Sequence, residues 1–176
     1  MSEFYSRAAT VADMPFIMGE FEDGARKGHF YEGILTSEVS KTFEQQLRLA
    51  IKTNEQGQYS GHFIYILLRR CDDKKVGLVW FCAALDPTGV PRLELRAVSI
   101  VKELRGKGYG SMLVSEMLES NPSQSMMAKC YVKSSQMADM LKRRGFYLFD
   151  TSPKGTQMLF RDPKKKASHT RMHLKN

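Results

Sequence analysis

The stretch that decides the fold is Arg105-Gly106-Lys107-Gly108-Tyr109-Gly110, a basic turn with three glycines. A strand-like run over residues 92–101 precedes it, and a helix-like run over residues 111–119 follows it. At such a junction, glycines let backbone N–H groups crowd around a phosphate, and the helix N-terminus adds about half a positive charge. Arg105 and Lys107 supply mobile cations. The turn therefore predicts a site for a cofactor that carries a pyrophosphate.

The spacing of this turn argues against two other phosphate-binding motifs. The ATP-binding loop needs a lysine followed by serine or threonine after its last glycine, whereas Gly110 is followed by Ser111 and Met112. The dinucleotide motif Gly-x-Gly-x-x-Gly does not occur here. Because glycine-rich turns are also common on protein surfaces, the strand before the turn and the helix after it carry much of the argument.

Length and composition predict one domain. The chain has 176 residues, 42% of them hydrophobic, which is enough for a single full core. Glu3, Arg7 and Asp13 interrupt the N-terminal stretch, so a signal peptide is not expected, and no apolar run is long enough to span a bilayer. The three cysteines have no metal-ligand spacing. We therefore expect a cytoplasmic protein with reduced thiols, no metal and no membrane contact.

Positive charge is concentrated at the C-terminus. Residues 161–176 contain six lysines and arginines and one aspartate, which is +5 of the formal net charge of +8. This composition divides the chain into a domain of residues 1–162 and a basic, flexible tail of residues 163–176. His169 and His173 have the spacing of a helical metal site, but a lysine-rich tail without cysteines or carboxylates does not favour metal binding.

Hydrophobic periodicity and turn residues predict the order of elements along the domain. A strand is followed by two helices, three meandering strands, a helix, a strand, a helix and a final hairpin. The predicted bounds are 4–8 for the first strand, a helix capped by Thr10, a helix over 37–52, strands over 62–70, 75–85 and 92–101, a helix over 111–119, a strand over 127–132, a helix between Ser134 or Ser135 and Gly145, and a hairpin of 146–149 with 157–160. Since a helix connects the fourth and fifth strands, these two should be parallel, with a right-handed connection.

This order, together with the glycine turn, resembles the GCN5-related N-acetyltransferase (GNAT) family over residues 3–161. The pattern Arg-x-x-Gly-x-Gly after a strand is similar to the acetyl-CoA loop of that family, and residues 142–146 resemble its last helix, which closes in Gly-Phe. The resemblance implies an α+β fold. Its mixed, mostly antiparallel sheet has about seven strands with a splayed parallel central pair, flanked by four helices. It also implies acetyl-CoA as the co-substrate.

The resemblance assigns cofactor contacts by position. Where the parallel strands separate, backbone groups of Val98, Ser99 and Ile100 would pair with the pantetheine arm, and an N–H there would stabilise the oxyanion. A plain buried strand would show the same residues. Ser134 resembles a polar residue near the cofactor, although it also suits a simple helix N-cap. The pyrophosphate would be held by Arg105, Gly106, Lys107, Gly108, Tyr109, Gly110 and Ser111.

The resemblance leaves alternatives open for both the general base and the general acid. Glu94 lies where members similar to histone acetyltransferases carry a glutamate base. Its neighbour Arg96 would lower its pKa, and Val98 is about 13 Å further along the strand, so a water relay would be needed. A surface pair of Glu94 with Arg96 is the alternative. The tyrosine that serves the family as general acid is replaced by Leu141, which leaves Tyr131, Tyr147, water or no donor.

The sequence therefore predicts an acetyl-CoA-dependent N-acetyltransferase that acts on a primary amine by direct transfer. No Cys-His or Ser-His constellation suggests a covalent intermediate, and Cys130 is best explained as core filler. The carboxylates between residues 20 and 32, with His29 and Tyr31, could attract the amine or simply form a solvated face. Two alternatives are a member that acetylates aminoacyl-tRNA through the basic tail, which is not favoured, and a non-catalytic acyl-CoA sensor. A homodimer is compatible with either.

Overall fold

The computed structural model describes residues 3–163, which fold around one mixed sheet. Within these residues the sheet has seven strands in the order β1-β2-β3-β4-β5-β7-β6. The strands are β1 (Phe4–Ala8), β2 (His62–Arg69), β3 (Lys75–Leu85), β4 (Pro91–Ile100), β5 (Met126–Cys130), β6 (Tyr147–Thr151) and β7 (Gln157–Arg161). The α-helices are α1 (Met14–Arg26), α2 (Ser37–Glu55), α3 (Tyr109–Ser120) and α4 (Ser135–Lys142). Strands β4 and β5 are parallel and the other pairs are antiparallel, which confirms the predicted fold class.

The sheet separates two hydrophobic layers. Helices α1 and α2 pack on one face, where Ile17 and Phe21 of α1 meet Trp80 of β3. Helices α3 and α4 pack on the other face, with Leu113 and Leu141 fully buried. Strand β3 is buried continuously over residues 76–82, because helices cover both of its faces. Because helices cover both faces of the sheet, a ligand can approach the sheet at the ends of β4 and β5.

Several element boundaries differ from the predicted ones by a few residues, and three examples follow. Thr10 caps a short 3-10 turn, Val11–Asp13, and α1 begins only at Met14. Helix α2 continues to Glu55, one turn further than predicted. Strand β5 ends at Cys130 because Val132–Ser134 form a 3-10 turn that leads into α4. Helix ends are the least determined part of a periodic pattern, since the last turn makes few packing contacts.

Asp13, the last residue of the 3-10 turn before α1, connects two strands through its side chain. Its carboxylate is buried and binds Arg7 Nη1 of β1 and Lys75 Nζ of β3, each at 2.7 Å. Burial acts to raise the pKa of Asp13, but the hydrogen bonds from Arg7 and Lys75 outweigh it and hold the pKa well below its usual range. This cluster fastens the edge strand to the start of α1.

Membrane and metal features can be checked over residues 3–163. No helix in this part is long and apolar enough to cross a bilayer. This part also contains no group of three or more His, Cys, Asp or Glu side chains that could hold a metal ion. The predicted tail lies outside the described residues from position 164 onwards, and so do His169 and His173. The proposed domain boundary at residue 162 therefore stays a prediction.

Candidate active site between the parallel strands

The two parallel strands pair over only part of their length. Three residue pairs join them, and the last is Leu95 with Ala128. Beyond that pair, β4 continues to Ile100 and β5 to Cys130, and a gap opens between them. Strand β4 also carries a bulge, because Trp80 pairs with Ala97 and Phe81 pairs with Leu95, which leaves Arg96 as the extra residue. A bulge bends its strand and increases the local twist, which helps the two strands to separate.

The register determines which backbone groups face this gap. Val101 N–H donates to the carbonyl of Val76 on β3 at 3.0 Å, and Ser99 lies opposite Leu78 on the same strand. Backbone groups alternate in direction along a strand, so those of Val98 and Ile100 point into the gap. The sequence had assigned freed groups to Ser99 as well. The structure differs there, because the Ser99 backbone faces β3.

Side chains from α1 and the loop occupy part of this region. The Ser99 hydroxyl donates to Glu20 Oε2 of α1 at 2.5 Å. The Ile100 carbonyl accepts a hydrogen bond from Arg105 Nε at 2.7 Å. The groups that remain toward the gap are therefore the N–H and C=O of Val98 and the N–H of Ile100.

A cleft of about 390 Å³ follows the gap and ends at the glycine loop. It is bounded by β4, β5, the loop, the start of α3, the start of α4 and the segment after α1. The predicted catalytic residue Glu94 and the predicted loop cation Lys107 are not among the residues that line it. Ten of the eleven predicted cofactor residues do line it: Val98, Ser99, Ile100, Arg105, Gly106, Gly108, Tyr109, Gly110, Ser111 and Ser134.

The loop end of the cleft is built from local backbone geometry. Gly108 is the N-cap of α3 with φ +84°, a left-handed conformation that glycine adopts without steric cost. The first helical hydrogen bond of α3 runs from Met112 N–H to Gly108 O at 2.9 Å. The N–H groups of the first turn, residues 109–111, precede this bond and have no carbonyl within the helix to pair with. They can donate to an anion, and the dipole of the twelve-residue helix favours one.

Arg105 is held by neighbours, which differs from the mobile cation that the sequence indicated. Its Nη2 donates to Asp23 Oδ2 at 2.8 Å and lies 3.8 Å from Glu20 Oε2. Lys27 and Arg105 lower the pKa of Asp23 to about 2. These contacts tie the end of α1 to the loop, so the position of the loop depends on α1 as well as on its own glycines.

The segment that follows α1 lies against the start of α4 through His29 and Ser134. His29 Nδ1 lies 3.1 Å from the Ser134 hydroxyl, so Ser134 makes a specific contact besides opening the helix. Burial lowers the pKa of His29, and the charges of Arg105 and Lys27 lower it further. His29 is therefore a neutral hydrogen-bonding group of the cleft at neutral pH. Tyr31, the other predicted polar handle, is 59% exposed and does not line the cleft.

Glu94 is almost fully buried and lies beside the end of the cleft where β4 and β5 begin to separate, which we call the narrow end. Its Oε2 is 3.2 Å from Arg96 Nε and accepts a hydrogen bond from Cys82 Sγ at 3.4 Å. The sequence offered a surface pair of Glu94 with Arg96 as an alternative. The pair is present, but its carboxylate is buried and only Arg96 is exposed. Because Glu94 does not line the cleft, a role as base would require a water relay.

The cysteines of this region are poor nucleophiles. Burial raises the pKa of Cys82 to about 12 and the pKa of Cys130 to about 11. Only the deprotonated thiolate is a good nucleophile. Both thiols therefore stay protonated and unreactive at neutral pH. Cys130 lines the cleft but is buried at its base, which supports the interpretation of this residue as core filler.

The tyrosine alternatives for the general acid are separated by the fold. Leu141 is fully buried and lines the cleft, so an apolar side chain fills the position of the usual tyrosine. Tyr131 lines the cleft at the end of β5 and is 38% exposed. Tyr147 lies on β6 with its ring against Phe160 and is outside the cleft lining. Of the two tyrosines, only Tyr131 can reach a ligand in this cleft.

Several residues that line the cleft were not predicted from the sequence. The most important are Arg96 and Lys129, whose position side by side in the lining was not foreseen. Arg96 was considered only for its effect on Glu94, and Lys129 was not considered at all. The predicted parallel pairing of β4 and β5 could have indicated Lys129, because ligands bind at the carboxyl ends of parallel strands and Lys129 lies near that end of β5.

A mixed sheet whose parallel pair separates above a glycine-rich loop defines the class of GNAT acetyltransferases. The family model described as the acetyltransferase (GNAT) family matches residues 30–146, about two-thirds of the chain. The chain therefore belongs to the GNAT family of acetyltransferases, as the resemblance implied. No curated protein matches the chain.

Solved structures share the fold at low sequence identity. The PaiA N-acetyltransferase of Thermoplasma acidophilum in complex with coenzyme A is 13% identical with a TM-score of 0.65, over 92% of this chain and 99% of that one. The phosphinothricin acetyltransferase of Sinorhizobium meliloti in complex with acetyl-CoA is 18% identical with a TM-score of 0.68, over 94% and 91%. The spermidine N-acetyltransferase of Vibrio cholerae in complex with CoA and spermine is 14% identical with a TM-score of 0.65, over 91% and 94%. At such identities the similarity establishes the fold alone, and the names of the last two proteins, a phosphinothricin and a spermidine acetyltransferase, indicate two different acceptors.

Proposed function

We propose that this protein transfers the acetyl group of acetyl-CoA to a primary amine of a small molecule, peptide or protein. The observation that carries the proposal is the cleft between β4 and β5, with backbone groups of Val98 and Ile100 on one wall and the start of α3 at its end. Family membership supports acetyl transfer, and the relatives solved with CoA or acetyl-CoA support the cofactor.

The chain offers distinct groups for each part of the cofactor. The N–H groups of residues 109–111 would bind the diphosphate, with Lys107 as a nearby exposed cation. Val98 and Ile100 would bind the pantetheine amides, as an added strand binds a sheet edge. The thioester would then lie near Arg96, where the strands begin to separate. No residue in this assignment requires a metal.

The chemistry requires the acceptor amine to lose a proton. An amine with the ordinary lysine pKa of about 10.4 is neutral about once in 2,500 molecules at pH 7, equivalent to about 4.6 kcal/mol. The neutral amine attacks the thioester carbon, the C–N bond forms and the C–S bond breaks. Glu94 stays the predicted base, acting through water, and Tyr131 is the proposed donor to the departing thiolate. A backbone N–H of β4 would stabilise the oxyanion between these steps.

Two further assignments belong to the same proposal. The acetyltransferase domain would comprise residues 1–162, and the basic residues from 163 onwards would be dispensable for acetylation of small amines. The protein would act in the cytoplasm, where acetyl-CoA is available, alone or as a homodimer.

A second candidate function is a non-catalytic acyl-CoA sensor, which the apolar Leu141 in the usual acid position favours. Two measurements separate the two functions. Calorimetry should show that the protein binds CoA, and thiol release from acetyl-CoA should accelerate with at least one amine in a broad panel. Binding without turnover on any amine, charged tRNA included, would support the sensor. No affinity for CoA would reject both candidates.

A further inference from the structure

Two cationic side chains lie where the parallel strands separate. Leu95 and Ala128 form the last pair between β4 and β5, and the next residue on each strand is Arg96 and Lys129 respectively. Both residues are exposed and both line the cleft. Under the proposed function, this is the position of the reacting thioester, so these two cations border the place where the acceptor must bind.

Both side chains lie on the face of the sheet that α1 and α2 cover. The Arg96 guanidinium lies 5.1 Å from the ring centroid of Trp80, which belongs to that layer. Lys129 alternates with Ala128 and Cys130, which are buried on the opposite face, so its side chain points away from them. Both charges act on the same thiol of this face, since Arg96 and Lys129 each oppose the rise in the pKa of Cys82 that burial causes.

The local charge balance is positive. Glu94 offsets Arg96 through the contact with Nε, which leaves the two terminal guanidinium nitrogens as donors. Within residues 3–163, Lys129 takes part in no ion pair. The carboxylates of α1 nearest the loop, Glu20 and Asp23, are already bound by Ser99, Lys27 and Arg105. An incoming acceptor therefore meets more positive than negative charge at the narrow end.

We propose that the acceptor amine carries an anionic group within a few bonds of its nitrogen, a carboxylate or a phosphonate, and that Arg96 and Lys129 bind this group. The inference rests on the proposed function and adds the substrate class. Arg96 suits a planar or tetrahedral oxyanion because it can donate through two nitrogens, and Lys129 adds a point charge. The same two cations repel a polycationic acceptor, because like charges at short distance repel each other.

Matched pairs of acceptors test this inference by thiol release from acetyl-CoA. The pairs are phenylalanine, methionine and aspartate, each against its α-amide, and 2-aminoethylphosphonate against ethanolamine, with spermidine as the polycation. We expect kcat/KM at least tenfold higher for the anionic member of at least one pair, since a hydrogen bond to a charged group accounts for about that factor. Preference for the amides, or for spermidine over every anionic amine, would overturn the inference.

Variants assign the preference to residues. Lys129→Gln should reduce the preference about tenfold, mainly by raising the KM of the anionic member of each pair. Arg96→Gln should act in the same direction but also changes the partner of Glu94, so Lys129→Gln is the decisive variant. Lys154→Gln, in the exposed turn between β6 and β7, removes an equal charge at a residue that does not line the cleft and should keep the preference. An equal loss on anionic and neutral acceptors in Lys129→Gln would contradict a role in recognition.

A binding measurement separates failure of the inference from failure of the proposed function. Absence of turnover on every amine, with CoA still bound, rejects the enzyme. Calorimetric titration of the CoA-saturated protein with each acceptor pair then decides the inference alone. Tighter binding of the anionic members, lost in Lys129→Gln, supports it, and equal binding of both members rejects it.

Discussion

The two ends of the cleft are built in different ways. The loop end comes from seven consecutive residues, 105–111, whose glycines and helix start arrange the N–H groups by local geometry. The narrow end is lined by Arg96 of β4 and Lys129 of β5, with the buried Glu94 of β4 and Cys82 of β3 beside them. These residues meet only through strand register. Local geometry tolerates changes elsewhere in the fold, whereas a register-built site depends on the whole sheet. The expected effects of substitutions differ accordingly.

The largest effect is expected outside both ends, at Asp13. Asp13→Asn leaves Arg7 and Lys75 without their buried carboxylate and should lower the free energy of unfolding by about 3 kcal/mol. The affinity of the folded protein for CoA should not change, because Asp13 contacts neither end of the cleft. Urea unfolding and calorimetry measure these two quantities, and a loss of CoA affinity would show that the ends are not independent of the edge strand.

The same residue predicts a pH dependence of stability. The pKa of Asp13 is lowered in the folded state, so its contribution is complete above about pH 4 and declines as the pH falls below that value. Asp13→Asn has lost this contribution at every pH and should show a shallower acid transition. Identical acid transitions in the two proteins would assign the acid sensitivity to other carboxylates.

The second largest effect should be confined to the narrow end. Glu94→Gln should lower kcat at neutral pH about a hundredfold if Glu94 is the base, because general base catalysis contributes at least that factor. CoA affinity should stay nearly constant, since Glu94 does not line the cleft. The pH–rate profile is the decisive measurement. A profile that keeps its shape in Glu94→Gln would remove this residue from the mechanism.

The third effect should be confined to the loop end. Gly108→Ala forces a residue with a Cβ into φ +84°, which costs about 1–2 kcal/mol and should weaken CoA binding about tenfold. Gly110→Ala is the matched comparison, because Gly110 has ordinary helical φ and an added Cβ would only reach van der Waals contact with Ile100 at 3.6 Å. Calorimetry should show a much lower affinity for CoA in Gly108→Ala than in Gly110→Ala. An equal loss of CoA affinity in the two variants would mean that glycine is required here for the space that it leaves to the ligand and not for its backbone conformation.

The smallest effect probes how far α1 controls the loop. Asp23→Asn removes the carboxylate that holds Arg105 Nη2 and should free the guanidinium for the diphosphate, which would tighten CoA binding about threefold. Glu22→Gln on the same helix breaks an exposed pair with Arg26 and makes no contact with the loop. Affinity for CoA should respond to Asp23→Asn alone. Weaker binding in Asp23→Asn would show instead that the ion pair orders the loop for its ligand.

The extent of prediction from sequence differs between the two ends for a physical reason. Glycine conformation and helix-start geometry depend on neighbours along the chain, so Gly106 and Gly108 could be read directly as a phosphate-binding turn. The direction of the Ser99 backbone could not, because one bulge at Arg96 shifts the alternation of every residue that follows it on β4. The partners of Arg105 on α1 are equally invisible, since 82 positions separate Arg105 from Asp23.

The sequence by itself determined the order of elements, the parallel β4–β5 pair and the glycine turn, because periodicity, turn chemistry and connection rules are local properties. It also determined the family. Only the tertiary structure decided that Asp13 is a buried anchor, that Glu94 is paired with Arg96 and Cys82, and that Lys129 stands beside Arg96 at the narrow end. Each of these depends on strand register and on helices packing across the sheet. Such contacts join residues distant in the chain, and local patterns carry no information about them.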